Sequence, residues 1–204
     1  MKINNKKFIY LISPNKISKS FFRHLNLVLK TGKVGIFQLR LKKYPLKSKI
    51  LIGKKVKEIC RKNRVKFLVN DDPKLAKKLN ADGCHLGQSD INVNDARSII
   101  GNKIIGVTCH NSIKFAKFAI KAKASYLAFG AFFPSKTKRT KYQASIKNLK
   151  EASKLTKIPL VAIGGINPQN YKKLLLNKAK FLAISSYIWK NKKYKPLKAI
   201  ERFK

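Results

Sequence analysis

Eight times along the chain, a short apolar run of strand length gives way to polar residues and then to a helical stretch. The strand signals are Phe8–Ile12, Val34–Leu39, Phe67–Val69, Cys84–Leu86, Lys103–Thr108, Ser125–Phe129, Leu160–Ile163 and Phe181–Ile184. Helices are predicted from Ser18 (as cap) to about Lys30, then over Leu46–Asn63, Pro73–Asn80, Asn92–Ile100, Asn111–Lys121, Ser145–Thr156 and Asn167–Leu175. A final helix contains Tyr187, Ile188 and Trp189. Strict alternation demands parallel strands joined by right-handed crossovers. Eight such units point to an α/β fold closed as a (β/α)8 TIM barrel, one domain over residues 1–204, at the short end of the size range for that fold. An open doubly wound sheet is the alternative. It gives no reason for eight units, or for polar clusters after nearly all of them.

Those clusters lie where such barrels carry their chemistry, at the C-terminal ends of the strands. The chain has only eight acidic residues, and three of them, Asp71, Asp72 and Asp90, follow strands three and four. Carboxylates on neighbouring strand ends can converge on one hard cation. Capping is the competing account, and the better one for Asp72, which precedes Pro73. Asp71 and Asp90 stand as metal candidates, with capping of the next helix as the alternative for Asp90. Gln38, Arg40 and Lys42 alternate at the end of strand two, a basic pair suited to a polyanion or simply a solvated strand end. Gly164-Gly165 after strand seven and Ser185-Ser186 after strand eight match the usual phosphate site of these barrels. A tight turn would explain one glycine without a ligand.

The longest irregular stretch, Gly130–Lys141, interleaves hydroxyls and cations at Ser135, Lys136, Thr137 and Lys138. Such a loop can serve phosphate oxygens or be a basic surface loop. The formal net charge is +40, but the lysines are spread over every predicted helix, without a basic arm, a zinc-finger spacing or an RNA-binding aromatic motif. This argues against specific nucleic-acid recognition, while favouring the arrival of phosphorylated small molecules. Cys60, Cys84 and Cys109 have neither Cys-x-x-Cys nor disulfide-like spacing; Cys84 and Cys109 read as small buried hydrophobes, and a reducing cytoplasm fits. No apolar run approaches the roughly 20 residues of a membrane span. A homo-oligomer is compatible with the sequence.

Seven stretches in order resemble the thiamine phosphate synthase family over nearly the whole chain. They are Gln38-Leu39-Arg40-Leu41-Lys42, Val69–Asp72, Ala81–Asp90, Ile105–His110, Phe129–Lys138, Val161–Ile166 and Ala183–Ser185. Ala-Asp-Gly-Cys-His-Leu-Gly-Gln-Ser-Asp is the most specific; Val-Ala-Ile-Gly-Gly-Ile occurs in many phosphate-binding barrels. The resemblance implies a transferase joining a pyrimidine methyl diphosphate to a thiazole phosphate, with diphosphate released. It implies Mg²⁺ as cofactor, held by Asp71 and Asp90. Gln38 would meet the pyrimidine, and Arg40, Lys42 and Asn70 the diphosphate. Thr108 supplies a hydroxyl where the family usually has Ser, and Lys138 would meet the leaving group. Ser135, Lys136, Thr137, Gly165, Ile184 and Ser185 would hold the thiazole phosphate, and Leu39 and Leu41 belong to the binding stretch.

The sequence departs from the family at Ser13-Pro14, usually Thr-Asp, and at Lys114, usually Glu. It departs again at Ala131 (usually Pro), at Thr140 (usually acidic), and at Ser125 and Lys180 (usually Asp). Two rival functions follow. A related thiazole tautomerase would use His110 as an acid or base, but has no diphosphate to hold with Arg40, Lys42 and Lys138. A non-catalytic basic nucleic-acid binder would not need Asp71 and Asp90.

Overall fold

The computed structural model describes residues 7–134 and 141–204. Its strands are Ile9–Ile12 (β1), Val34–Leu39 (β2), Lys66–Asn70 (β3), Gly83–Leu86 (β4), Ile104–His110 (β5), Tyr126–Gly130 (β6), Leu160–Ile163 (β7) and Phe181–Ile184 (β8). All pair in parallel with their sequence neighbours, and β1 also pairs with β8, which closes the barrel. The helices are Phe21–Lys30 (α1), Leu46–Lys62 (α2), Pro73–Lys78 (α3), Val93–Ile100 (α4), Ile113–Lys121 (α5), Ile146–Leu155 (α6), Lys172–Leu176 (α7), Ser186–Trp189 (α8) and Pro196–Glu201 (α9).

Each strand divides its side chains between two cores, because successive residues point to opposite faces. One set, including Leu11, Phe37, Leu39, Val69, Cys84, Cys109, Leu127 and Ile184, packs beneath the helices. The other fills the lumen with Tyr10, Ile36, Leu68, Tyr126, Val161 and Phe181. The lumen is crowded at one point: a Cβ on Gly106 would lie 1.8 Å from Cζ of Tyr126, its register partner. Only glycine lets that ring lie across the strand. All three cysteines are free and buried.

Several element ends differ from the sequence expectation, each for a local reason. The first helix starts at Phe21 with Ser20 at its N-cap position, since Ser18 is tied into the preceding turn through Phe21 N–H to its carbonyl, at 3.1 Å. The seventh helix is shorter because Asn167 and Asn170 claim the backbone. Asn170 Oδ1 accepts from Asn167 N–H at 2.9 Å, and Asn167 Oδ1 accepts from Gln169 N–H at 2.9 Å. The last helical region is two helices, making nine among the described residues. Asn191 Oδ1 accepts from the N–H groups of Lys193 and Tyr194 at 2.9 and 3.0 Å, and Pro196 opens a new helix. Trp189 is a packing anchor as expected, tilted against Phe21 and donating from Nε1 to the Ile12 carbonyl at 2.7 Å. No helix among the described residues is long and apolar enough to cross a membrane.

Candidate active site

The C-terminal ends of β2, β3, β4 and β5 bring the predicted polar residues together. Gln38 is 97 % buried by its 3 % exposure, and its Nε2 donates to Asn70 Oδ1 at 2.5 Å. Beyond β2 the chain turns away, and Arg40 is braced from β1: its N–H donates to Ser13 Oγ at 2.8 Å and its Nη1 to Asn15 Oδ1 at 3.1 Å. The Ser13-Pro14 departure therefore carries its own structural role. Lys42 Nζ lies 3.1 Å from Asp71 Oδ2.

The consecutive acids after β3 do different work. Asp72 caps α3, its Oδ1 accepting from Leu75 N–H at 2.9 Å. Asp71 adopts a left-handed backbone, with φ +65°, and donates its N–H to the His85 carbonyl at 2.8 Å. This turns its side chain toward Asp90, so that the two carboxyls face each other. Burial, followed by that contact with Asp90, pushes the Asp71 carboxyl above the ordinary range, against the pull of Lys42. Asp90 is no helix cap: Asn92 takes that position on α4, its Oδ1 accepting from Asp95 N–H at 3.0 Å. Asp90 Oδ2 instead accepts from Gly87 N–H at 2.6 Å, which fixes the turn after β4.

Two carboxyls in contact beside one lysine leave an excess of negative charge that a hard cation would neutralise. Among the described residues no group of three or more His, Cys, Asp or Glu stands together, so Asp71 and Asp90 form a two-carboxylate set. That set suits Mg²⁺, which takes one or two carboxylates and keeps water or phosphate oxygens for the rest. A cavity of about 420 Å³ opens beside it, bounded by Lys42, Lys49, Asn70 and Asp71.

Deeper in the barrel mouth, Thr108 Oγ1 lies 2.8 Å from His85 Nε2, and Gln88 Nε2 donates to the Thr108 carbonyl. His85 Nδ1 lies 2.8 Å from the Tyr126 hydroxyl. Burial lowers the His85 pKa to about 4, against the pull of Asp90, so the ring is neutral near pH 7. On the opposite rim, Gly164 and Gly165 have φ of +105° and +61°. A Cβ on Gly165 would lie 2.4 Å from the Pro134 carbonyl oxygen. Ser185 Oγ donates to the Ser13 carbonyl at 3.3 Å, which ties β8 to the bracing loop of Arg40. The side chains of Leu39, Leu41 and Ile184 pack under the helices, and the Leu41 carbonyl accepts from Tyr44 N–H at 3.3 Å. Ser135, Lys136, Thr137 and Lys138 lie outside the described residues. The His110 ring is stacked on Tyr142 at 4.1 Å.

The sequence model of one family, Thiamine monophosphate synthase, matches residues 9–188. The chain belongs to the thiamine monophosphate synthase family. Among relatives of this family, the thiamine-phosphate synthase of Pelagibacter ubique strain HTCC1062 is 65 % identical over 201 residues, covering 98 % of this chain and 97 % of its own. That of Erythrobacter litoralis strain HTCC2594 is 41 % identical over 186 residues, 89 % of this chain and 87 % of its own. The solved thiamine phosphate pyrophosphorylase of Pyrococcus furiosus superposes with a TM-score of 0.86 at 30 % identity, covering 98 % of this chain and 94 % of that one. A thiamine monophosphate synthase is a transferase, and the expected (β/α)8 barrel and family are both borne out.

Sequence reasoning missed Ser13, Asn15, His85, Tyr126 and Tyr10. His85 lay inside the most specific motif, and its alternation with Gly83 along β4 was a usable signal for a lumen-facing side chain.

Proposed function

We propose that this chain condenses a 4-amino-2-methylpyrimidine methyl diphosphate with a thiazole phosphate, giving thiamine phosphate and diphosphate. The observation that carries this reading is the convergence of Lys42, Asp71, Asp90 and the Gln38–Asn70 pair on one barrel mouth, in a chain of this family. Gln38 and Asn70, locked to each other, present fixed amide groups to the pyrimidine and its diphosphate. Arg40, braced by Ser13 and Asn15, and Lys42 offer positive charge to the phosphate oxygens. Asp71 and Asp90 would hold Mg²⁺, which when bound neutralises charge building on the departing diphosphate.

In the bond change, the methylene carbon–oxygen bond breaks and its electron pair leaves with the diphosphate. The thiazole nitrogen lone pair then forms the new carbon–nitrogen bond. No side chain need act as a nucleophile; the residues hold the two rings in line and stabilise the leaving anion. Gly165, the main chain at Ile184, and Ser185 on the far rim receive the thiazole phosphate, with Ser135, Lys136 and Thr137. Lys138 meets the leaving diphosphate, and Thr108 contributes its hydroxyl. The three free thiols match a reducing cytoplasm.

The test is diphosphate release from the pyrimidine diphosphate, with and without thiazole phosphate and with and without Mg²⁺. Release that requires both, with thiamine phosphate as product, is the expected result. A folded protein that binds thiazole phosphate but releases no diphosphate would overturn it.

A further inference from the structure

Thr108 is the last member of a hydrogen-bonded file that crosses the barrel lumen from β1. The Tyr10 and Tyr126 hydroxyls are 2.7 Å apart, Tyr126 Oη is 2.8 Å from His85 Nδ1, and His85 Nε2 is 2.8 Å from Thr108 Oγ1. Packing fixes every member. Tyr10 and Tyr126 are 1 % and 3 % exposed. The Tyr126 ring lies over Gly106, stacks on His85 at 5.6 Å and receives the edge of Tyr10 at 5.7 Å.

Each hydroxyl in the file has one proton, and a neutral imidazole has one N–H. Three orderings connect all four groups; one of them, with Tyr126 accepting from both Tyr10 and His85 Nδ1–H, strands the buried Tyr126 proton, and two remain to be weighed. In the first, Thr108 donates to His85 Nε2, Nδ1–H donates to Tyr126, and Tyr126 donates to Tyr10. The Tyr10 proton then has nowhere to go, since Tyr126 is its hydrogen-bond partner among the described residues. In the second, Tyr10 donates to Tyr126, Tyr126 to His85 Nδ1, and His85 Nε2–H to Thr108. Every buried proton is then used, and the one left over is the Thr108 hydroxyl proton, at the open end of the file. An unmet buried donor disfavours the first ordering by roughly ten- to a hundredfold in population.

We propose that Tyr10 and Tyr126 hold His85 as its Nε2–H tautomer, so that Thr108 faces the site as a hydrogen-bond donor for an anionic oxygen of the leaving diphosphate. This rests on the reading of Thr108 given under the proposed function. Tyr10, Tyr126 and His85 are positioning residues, and their effect reaches the substrate through Thr108 alone. In the opposite ordering Thr108 would turn a lone pair toward that oxygen and repel it.

The tautomer is read by ¹⁵N–¹H correlation spectra of ¹⁵N-histidine-labelled protein near neutral pH, without substrates. The chain has three histidines, and His85→Asn identifies the signal of the third beside His24 and His110. Wild type is expected to carry the proton on Nε2 of His85. Tyr126→Phe is expected to show a mixture of tautomers, with kcat lowered about tenfold and the KM for thiazole phosphate unchanged. Tyr10→Phe has a smaller effect, because Tyr126 still donates to His85. A wild-type proton on Nδ1 overturns the proposal. So does Tyr126→Phe that keeps a pure Nε2–H ring, or that keeps full kcat. Should Tyr126→Phe not fold, the wild-type tautomer and the Tyr10→Phe turnover decide. Absence of synthase turnover in wild type would count against the proposed function, while the tautomer measurement stands independently.

Discussion

The Lys42 ammonium reaches the Asp71 carboxylate at 3.1 Å, and the Asp90 carboxyl faces that same group. One cation thus serves two acids, in a protein where basic residues outnumber acidic ones 48 to 8. Lys42 is the lysine that pairs with Asp71, while Lys49 lines the cavity beside them. This is the arrangement expected where a bound cation completes the balance.

Asp71→Asn and Asp90→Asn should each lower Mg²⁺-supported kcat/KM by about 100-fold or more, with the fold retained. Asparagine is the sensible replacement at position 90, since its oxygen can still accept from Gly87 N–H. In EDTA, Asp71→Asn should melt slightly above wild type, because it removes a carboxyl that is costly to ionise; the size is small because solvent still screens that group. Asp72→Ala is the control. It should cost about 1 kcal/mol through loss of the α3 cap, with the Mg²⁺ response unchanged. Calorimetry with and without Mg²⁺ separates the two kinds of acid.

His85 should make the metal-free protein acid-sensitive. Its folded pKa is lowered to about 4, while an unfolded histidine titrates near 6.5. Between those values the unfolded chain binds a proton that the folded chain does not. Stability is therefore full above about pH 6.5 and falls as pH drops through the folded pKa, by up to about 3 kcal/mol. Urea midpoints measured from pH 7.5 to 4 would show this slope, and His85→Gln should flatten it. An unchanged slope in that variant would place the acid sensitivity elsewhere.

Gly106→Ala should be among the more damaging single-carbon additions in the chain. The new Cβ would meet the Tyr126 ring at 1.8 Å, deep in the lumen, where neither strand can retreat. A loss of about 2–3 kcal/mol is expected. Adding Tyr126→Leu should recover part of it, since the two changes act on one space. Denaturation of the two single variants and the double variant measures that coupling.

Gly165→Ala should raise the KM for thiazole phosphate by about tenfold or more while leaving Mg²⁺ binding alone. A side chain there is strained by the positive φ and would strike the Pro134 carbonyl at 2.4 Å. Initial rates across a thiazole phosphate series check it.

Much of this was legible in the chain because the signals were local. Asp-Pro at 72–73 announces a capped helix start, and the apolar runs carry their own strand lengths. Asp90 was ambiguous for a physical reason. It and Asn92 lie three residues and one residue before α4, and the choice of cap depended on whether Gly87 N–H needed an acceptor. The file from Tyr10 to Thr108 was illegible. Tyrosine in a β-strand reads as core, and only barrel closure shows that β1, β4, β5 and β6 aim these four side chains at one another. The bracing of Arg40 by Ser13 and Asn15 was hidden likewise, because the partners come from a different strand end.

The left-handed backbone at Asp71 sorts substitutions by shape before it sorts them by charge. Asparagine and glycine accept that conformation readily, whereas longer side chains such as glutamate resist it. A library randomised at this position and screened for folded protein would thus be enriched in residues that bring no negative charge to a cation. Screened for thiamine phosphate formation, the same library would return aspartate. The most charge-conservative replacement, Asp71→Glu, would be poor by both criteria.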